Sequence, residues 1–183
     1  MEFFKHHQEI AHIVPNTYSL PRFVNAASVF EGEVRTAIIS LKYRNRRRLA
    51  RPLAGILSSA ILQEHAGCVP FDCVTWAPTT RSRRRQRGID QSELIARHVA
   101  STLCIPARNL LKRMSRETQT HRTRHERLVG PVFRAHEAAV GQRILVVDDV
   151  TTTGATLHAS RRAFHRIGAE LVECWAVAAT PSR

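Results

Sequence analysis

The sequence predicts an α/β fold: a parallel open sheet flanked by helices on both faces. Three observations predict it. Apolar runs of strand length alternate with stretches whose apolar residues recur at three- and four-residue steps, the order of a parallel sheet with crossover helices. One run, Ile144 to Val147, is apolar at every position, as a strand covered on both faces requires. A chain of 183 residues with 43% apolar and 23% charged content is long enough for one domain with a substantial core.

Taken in order, Val24 to Phe30 reads as a strand that stops at Glu31-Gly32. From Glu33, the positions Val34, Ala37, Ile38 and Leu41 describe a short amphipathic helix. A basic turn follows. Leu49, Leu53, Ile56, Leu57, Ala60 and Ile61 then mark a second helix, with Pro52 in its first turn, where a missing N–H is tolerated, and Gly67 as its stop. Asp72 to Ala77 reads as a strand ended by Pro78, and a basic loop is expected from there to Gly88. Gln91 to Leu103 reads as a helix with Leu94, Ile95, Val99 and Leu103 on one stripe.

Asn109 to Leu111 is a short apolar piece. Residues 112–128, almost without apolar side chains, are expected to be either disordered or a functional lid. After the strand at Ile144 comes a helix from Thr156 to Ile167 with Gly168 as its C-cap, then a last strand, Leu171 to Ala179. No repeat or low-complexity linker interrupts the pattern. The expected organisation is an N-terminal segment or small hood over residues 1–25 and one domain over 26–183.

Several function classes drop out. No apolar run approaches the roughly 18 residues of a membrane helix, and the N-terminal stretch lacks the order of a signal peptide. A cytoplasmic protein is expected. The cysteines Cys68, Cys73, Cys104 and Cys174 form no CxxC pair, so reduced, mostly buried thiols are expected rather than a zinc site. The net charge of +13, from 28 basic and 15 acidic side chains, is clustered. Arginines crowd 44–51 and 81–87, and Lys112 to Arg127 adds a third basic stretch. Such clusters favour polyanionic partners, either a pyrophosphate or a nucleic-acid backbone.

The chemistry concentrates in RILVVDDVTTTGAT, residues 143–156. Ligands of open α/β sheets bind off the carboxyl ends of strands. A turn rich in hydroxyls and amides that feeds a helix is suited to a phosphate, and Gly154 lets backbone N–H groups come close. A lone Asp there would be ordinary turn and capping chemistry. Two adjacent acids, Asp148 and Asp149, beside a phosphate cradle need another task, such as accepting hydrogen bonds from vicinal hydroxyls or meeting a magnesium ion. A sugar phosphate meets all of these demands. A second strand-to-loop turn, Thr79, Thr80, Arg81 and Ser82, should lie on the same rim, and its amides, hydroxyls and guanidinium suit a pyrophosphate.

The string at 143–156 resembles the 5-phosphoribosyl-1-pyrophosphate (PRPP) signature of the type I phosphoribosyltransferases. With FEGEVRTAIISLKYRNRRRLARPLA, RRRQRGIDQSELIA and QTHRTRHERLVGPVF beside it, the chain from about Phe30 to Thr180 resembles the ComF (GntX-like) family. Ile89-Asp90 stand where that family usually has Phe-Asn, and the four-cysteine zinc segment of many relatives has no counterpart here, so zinc is not expected. The resemblance implies a type I phosphoribosyltransferase-like fold and assigns roles. Asp148 and Asp149 would contact the ribose hydroxyls as the catalytic pair. Thr152, Thr153, Gly154, Ala155 and Thr156 would wrap the 5′-phosphate. Thr79, Thr80, Arg81 and Ser82 would grip the pyrophosphate.

It further implies a Mg2+ cofactor held mainly by PRPP rather than by protein ligands, and a lid over 115–127 that excludes water. An incoming nitrogen base would displace pyrophosphate with inversion. Because only Pro181, Ser182 and Arg183 follow the last strand, no C-terminal hood is expected. An N-terminal hood would offer Phe3, Phe4, Tyr18 and Phe23 as stacking surfaces. The acceptor base stays unnamed and an oligomer stays open. ComF relatives are associated with uptake of single-stranded DNA in natural transformation, beside a helicase-like ATPase. The resemblance therefore also implies an alternative: a non-catalytic PRPP-sensing or single-stranded-DNA-binding module. No aromatic residues interleave with the arginine runs, which speaks against an extensive stacking platform.

Overall fold

The structure, a computed structural model, describes residues 23–114 and 131–180. Its centre is a four-stranded, all-parallel sheet of β1 (Val24–Val29), β6 (Leu171–Ala179), β5 (Arg143–Thr151) and β2 (Cys73–Trp76), in that order. Five helices accompany it among the described residues: α1 (Gly32–Tyr43), α2 (Ala50–Glu64), α3 (Arg81–Arg87), α4 (Gln91–Thr102) and α5 (Ala155–Arg166). The predicted fold class is the observed one. Among the described residues no helix is long and apolar enough to cross a membrane.

The side-chain alternation of the strands divides the core in two. Leu145 and Val147 of β5, Trp175 and Val177 of β6, and Val74 and Trp76 of β2 pack with α1, α2 and α4. Ile144 and Val146, Cys174 and Ala176, and Cys73 face the other way, toward Leu157 and Phe164 of α5. Trp175 and Phe164 are fully buried. Each aromatic so enclosed contributes about 2–3 kcal/mol of burial energy, enough to lock its helix layer to the sheet.

Three expectations change. Residues 81–87, expected as loop, form the helix α3. It has no apolar stripe for a periodicity argument to find, yet arginine is a good helix former, and both ends are closed locally. Thr80 Oγ1 accepts from Arg83 N at 3.3 Å, and Gly88, at φ +70°, returns its N–H to Arg84 O at 2.9 Å. The cations Arg84, Arg85 and Arg87 lie in its last turn, where the helix dipole favours them.

The strand expected at Ile144–Val147 runs on to Thr151, paired with β6 as far as Thr151↔Ala179. Both acids therefore sit on a sheet-supported backbone rather than in a loose turn. Finally, β3 (Leu111–Arg113) and β4 (Phe133–Ala135) form a separate antiparallel pair. Strands of three residues with the pattern Leu-Lys-Arg carry too little alternation to be read from sequence. The expected lid over 115–127 and the aromatics Phe3, Phe4 and Tyr18 lie outside the described residues. Phe23 packs on α5, its ring 5.1 Å from His158 and under the Arg161 guanidinium at 4.7 Å.

Candidate functional site

The parallel register puts the ends of β2 and β5 side by side: Trp76 pairs with Val147, and Ala77 N donates to Val147 O at 3.2 Å. Hence the Thr79–Ser82 turn and the Asp148–Thr156 segment leave one rim of the sheet. Helix α4 ties them together. Asp90, just before α4, accepts from Thr79 N through Oδ2 at 2.8 Å, and Ser92 donates through Oγ to Asp148 Oδ1 at 2.7 Å. Arg113 of β3 adds a bond from Nη1 to Pro78 O at 3.4 Å.

The two acids have different partners. Asp148 Oδ1 also accepts from Asp149 N at 2.9 Å. Asp149, 7% exposed, is paired through Oδ1 with Lys42 Nζ at 2.8 Å, from the last turn of α1. Burial, then the charge of Asp149, pushes Asp148 up to about 7, against the pull of Ser92, the Asp149 N–H and Lys42. Burial also raises Asp90, against the hydrogen bond from Thr79. The backbone N–H of Glu93 pulls the same way as that of Thr79.

Three of the five buried side-chain atoms without a partner among the described residues belong to this rim: Asp90 Oδ1, Gln91 Nε2 and Thr180 Oγ1. Native interiors leave few such atoms unsatisfied, and these three lie at the same end of the sheet as the acids. Beyond the acids, Thr152 and Thr153 are exposed, and Gly154 turns the chain into α5 at φ +73°. Thr153 Oγ1 accepts from Ala155 N at 3.4 Å, and no side chain of the N-cap itself closes the helix. First-turn N–H groups of a helix have no intrahelical acceptors and so face outward for an anion. Thr156 is half-buried in that turn.

Residues 89–183, more than half of the chain, match the phosphoribosyl transferase domain family. The chain belongs to that family. This phosphoribosyl transferase domain is similar to competence protein ComFC of Bacillus subtilis (strain 168), 33% identical over 87 residues, which span 46% of this chain and 35% of the relative. It is also similar to competence protein F of Haemophilus influenzae, 27% identical over 151 residues, 75% of this chain and 64% of the relative. DNA utilization protein YhgH of Escherichia coli (strain K12) is 27% identical over 149 residues, 78% and 66%. The chain thus spans about a third to two thirds of these relatives. They place it among the ComF-type members of the phosphoribosyl transferase family.

Among solved structures, glutamine PRPP amidotransferase from Bacillus subtilis, complexed with ADP and GMP, superposes with a TM-score of 0.53 at 19% identity. The superposition covers 76% of this chain and 30% of that one. That likeness shows the type I phosphoribosyltransferase fold.

All of the residues expected at the site gather along the one rim: the acids in the last part of β5, the others on the turns after β2 and β5 and in the first turns of α3 and α5. The sequence argument missed Lys42, Asp90, Ser92 and Arg113. A signal was available: Lys42 stands within FEGEVRTAIISLKYRNRRRLARPLA, and Asp90 and Ser92 within RRRQRGIDQSELIA, with Asp90 the oddity among them, where the resembled family usually carries Asn. That oddity has an expected consequence. Asp90→Asn keeps an acceptor for Thr79 N and removes a charge that burial disfavours, so it should raise the melting temperature at about pH 8 by roughly 3 °C. Because the folded carboxyl is raised above its ordinary value, its cost sets in as pH rises. The gain should therefore vanish at about pH 3. Melting curves at the two pH values check this, and an equal gain at both would refute it.

Proposed function

We propose that this site binds PRPP and, with Mg2+, transfers its 5-phosphoribosyl group to a nitrogen acceptor with release of pyrophosphate. One observation carries the reading: an acid pair, a hydroxyl-rich turn opening a helix and a second basic turn leave one rim of one parallel sheet. Asp148 and Asp149 accept hydrogen bonds from the vicinal ribose hydroxyls. The N–H and hydroxyl groups of Thr152, Thr153, Gly154, Ala155 and Thr156 surround the 5′-phosphate. Thr79, Thr80, Arg81 and Ser82 hold the pyrophosphate. A bond forms between the acceptor nitrogen and C1 as the bond from C1 to the pyrophosphate oxygen breaks.

The residues fit Mg2+ as a shared ligand. The rim offers carboxylate oxygens, the hard donors this ion takes. No group of three His, Cys, Asp or Glu side chains gathers into a cage among the described residues, so PRPP and water would supply most of its ligands. Bound there, the ion would neutralise the leaving pyrophosphate. We place the protein in the cytoplasm, where PRPP is used.

A second reading, a PRPP-sensing or single-stranded-DNA-binding module working beside a helicase-like ATPase, has an observation of its own. Two arginine clusters far apart in the chain converge. Arg87 stacks on Tyr43 at 5.0 Å, and a Cβ on Gly88 would meet Arg47 Nη2 at 3.7 Å. The names of the relatives, competence and DNA utilization, agree with it.

Calorimetry and a nucleobase screen separate the readings. The enzyme reading expects Mg2+-dependent PRPP binding in the micromolar range, lost in Asp148→Asn/Asp149→Asn, and pyrophosphate release with at least one base. Binding that survives the double substitution defeats the assignment of the acids. PRPP binding without release for any base, together with strongly salt-dependent binding of single-stranded DNA, favours the module.

A further inference from the structure

Lys42 is a residue of this site to which the sequence argument gave no role. It lies in the last turn of α1, and its Nζ stands 2.8 Å from Asp149 Oδ1, with the two side chains only 19% and 10% exposed. Among the described residues it forms the one ion pair to either acid. Its chain neighbour Tyr43 accepts a hydrogen bond from Arg87 Nη2 at 3.4 Å, and Arg87 closes α3, the helix that the Thr79–Ser82 turn opens. The end of α1 therefore bridges the acid pair on one side and the helix of the pyrophosphate turn on the other. The other charged groups around the acids are Asp90 before α4 and Arg113 of β3, which in turn feels Arg83.

This ion pair creates a difficulty for any sugar. Asp149, whose carboxylate a ribose hydroxyl needs as acceptor, already has one oxygen and its charge engaged by an ammonium. A diol brings hydrogen bonds but no charge. A ligand that took Asp149 and left Lys42 enclosed without a counterion would bind poorly, because an unpaired charge away from water is costly. A ligand that brings a diol together with an anion on the side of the Thr79–Ser82 turn meets both needs.

We infer that Lys42 is a positioning residue that selects for a pentose with an anionic group at C1: it holds Asp149 in place until the ligand arrives, then yields it to the diol and turns to that anion. The inference rests on the PRPP reading and adds the device by which this site tells PRPP from ribose 5-phosphate, which lacks the group at C1. Lys42 thus acts as an internal occupant that only the complete ligand displaces without loss.

The test is titration calorimetry on the full chain with PRPP and with ribose 5-phosphate, each with Mg2+. Lys42→Met should weaken PRPP about tenfold or more while leaving ribose 5-phosphate unchanged or tighter, so the selectivity ratio collapses. Lys42→Arg keeps the charge and should restore the ratio. The ionisation midpoint of Asp148, followed by carboxyl carbon NMR, should move upward in Lys42→Met and stay in Lys42→Arg, since the ammonium holds it down. Should Lys42→Met fail to fold, Lys42→Gln removes the charge while keeping a donor for Asp149, and the same ratio is read.

Equal weakening of both sugars, or an unmoved ratio, overturns the inference and leaves PRPP binding intact. Wild-type protein that binds neither sugar overturns the PRPP reading and this inference with it.

Discussion

Asp148→Asn is expected to raise the melting temperature at about pH 8 by roughly 5 °C while weakening PRPP binding about 100-fold. The two effects have one cause. Burial and the neighbouring charge of Asp149 push Asp148 from an ordinary value of 3.8 to about 7. A carboxyl raised in the fold binds its proton more tightly there than in the unfolded chain. Its contribution to stability is therefore full below the ordinary carboxylate range and is lost as pH rises through the window from 3.8 to about 7.

Asparagine removes that loss and keeps an oxygen for Ser92 Oγ and Asp149 N, though a weaker acceptor than a carboxylate. The net gain should be ~2 kcal/mol at about pH 8 and nil at about pH 4. A ribose hydroxyl, by contrast, loses a charge-assisted bond. Melting curves at both pH values, with calorimetry on the same variant, read the pair of effects. A variant less stable at both pH values would show Asp148 to be a structural anchor, and the trade of stability for function would be refuted.

PRPP affinity in the wild-type protein should fall about tenfold per pH unit below about 7. The sign follows from the same displacement. The hydroxyls of the ligand donate, an ionised Asp148 accepts from them far more strongly than a protonated one, and each unit below its midpoint makes the ionised form ten times rarer. The second ionisation of a phosphate, near about 6, limits the window to roughly pH 6–8. Calorimetry across that window, in two buffers of different ionisation enthalpy, should also register a proton released on binding below the midpoint. A flat profile with no proton release would remove Asp148 from direct contact with the sugar.

Much of the architecture was legible from local chemistry. The last strand, Leu171–Ala179, and the helices around Val34, Leu53 and Ile95 have the observed extents to within a few residues, because periods of 2 and 3.6 are set by one backbone meeting one buried face. The helix α3 escaped for the complementary reason: seven residues with no buried side chain leave no period to detect, and only the Thr80 and Gly88 caps speak for it. The β3–β4 pair escaped because its stability lies in the pairing of two segments and not in either one.

By itself, the sequence determined the fold class, the order of elements, the acid pair and the glycine turn beside it, for each is written in neighbouring residues whose chemistry acts over one or two turns of chain. Only the tertiary structure decided who holds those acids. Ser92 reaches Asp148 from 56 positions away, and Lys42 reaches Asp149 from the opposite end of the domain. Asp90 fastens the second loop to the helix that carries Ser92. Such pairings depend on how layers settle against a twisted sheet. A carboxylate's partner is whatever charge packing brings within 3 Å or so, and no spacing along the chain encodes that distance.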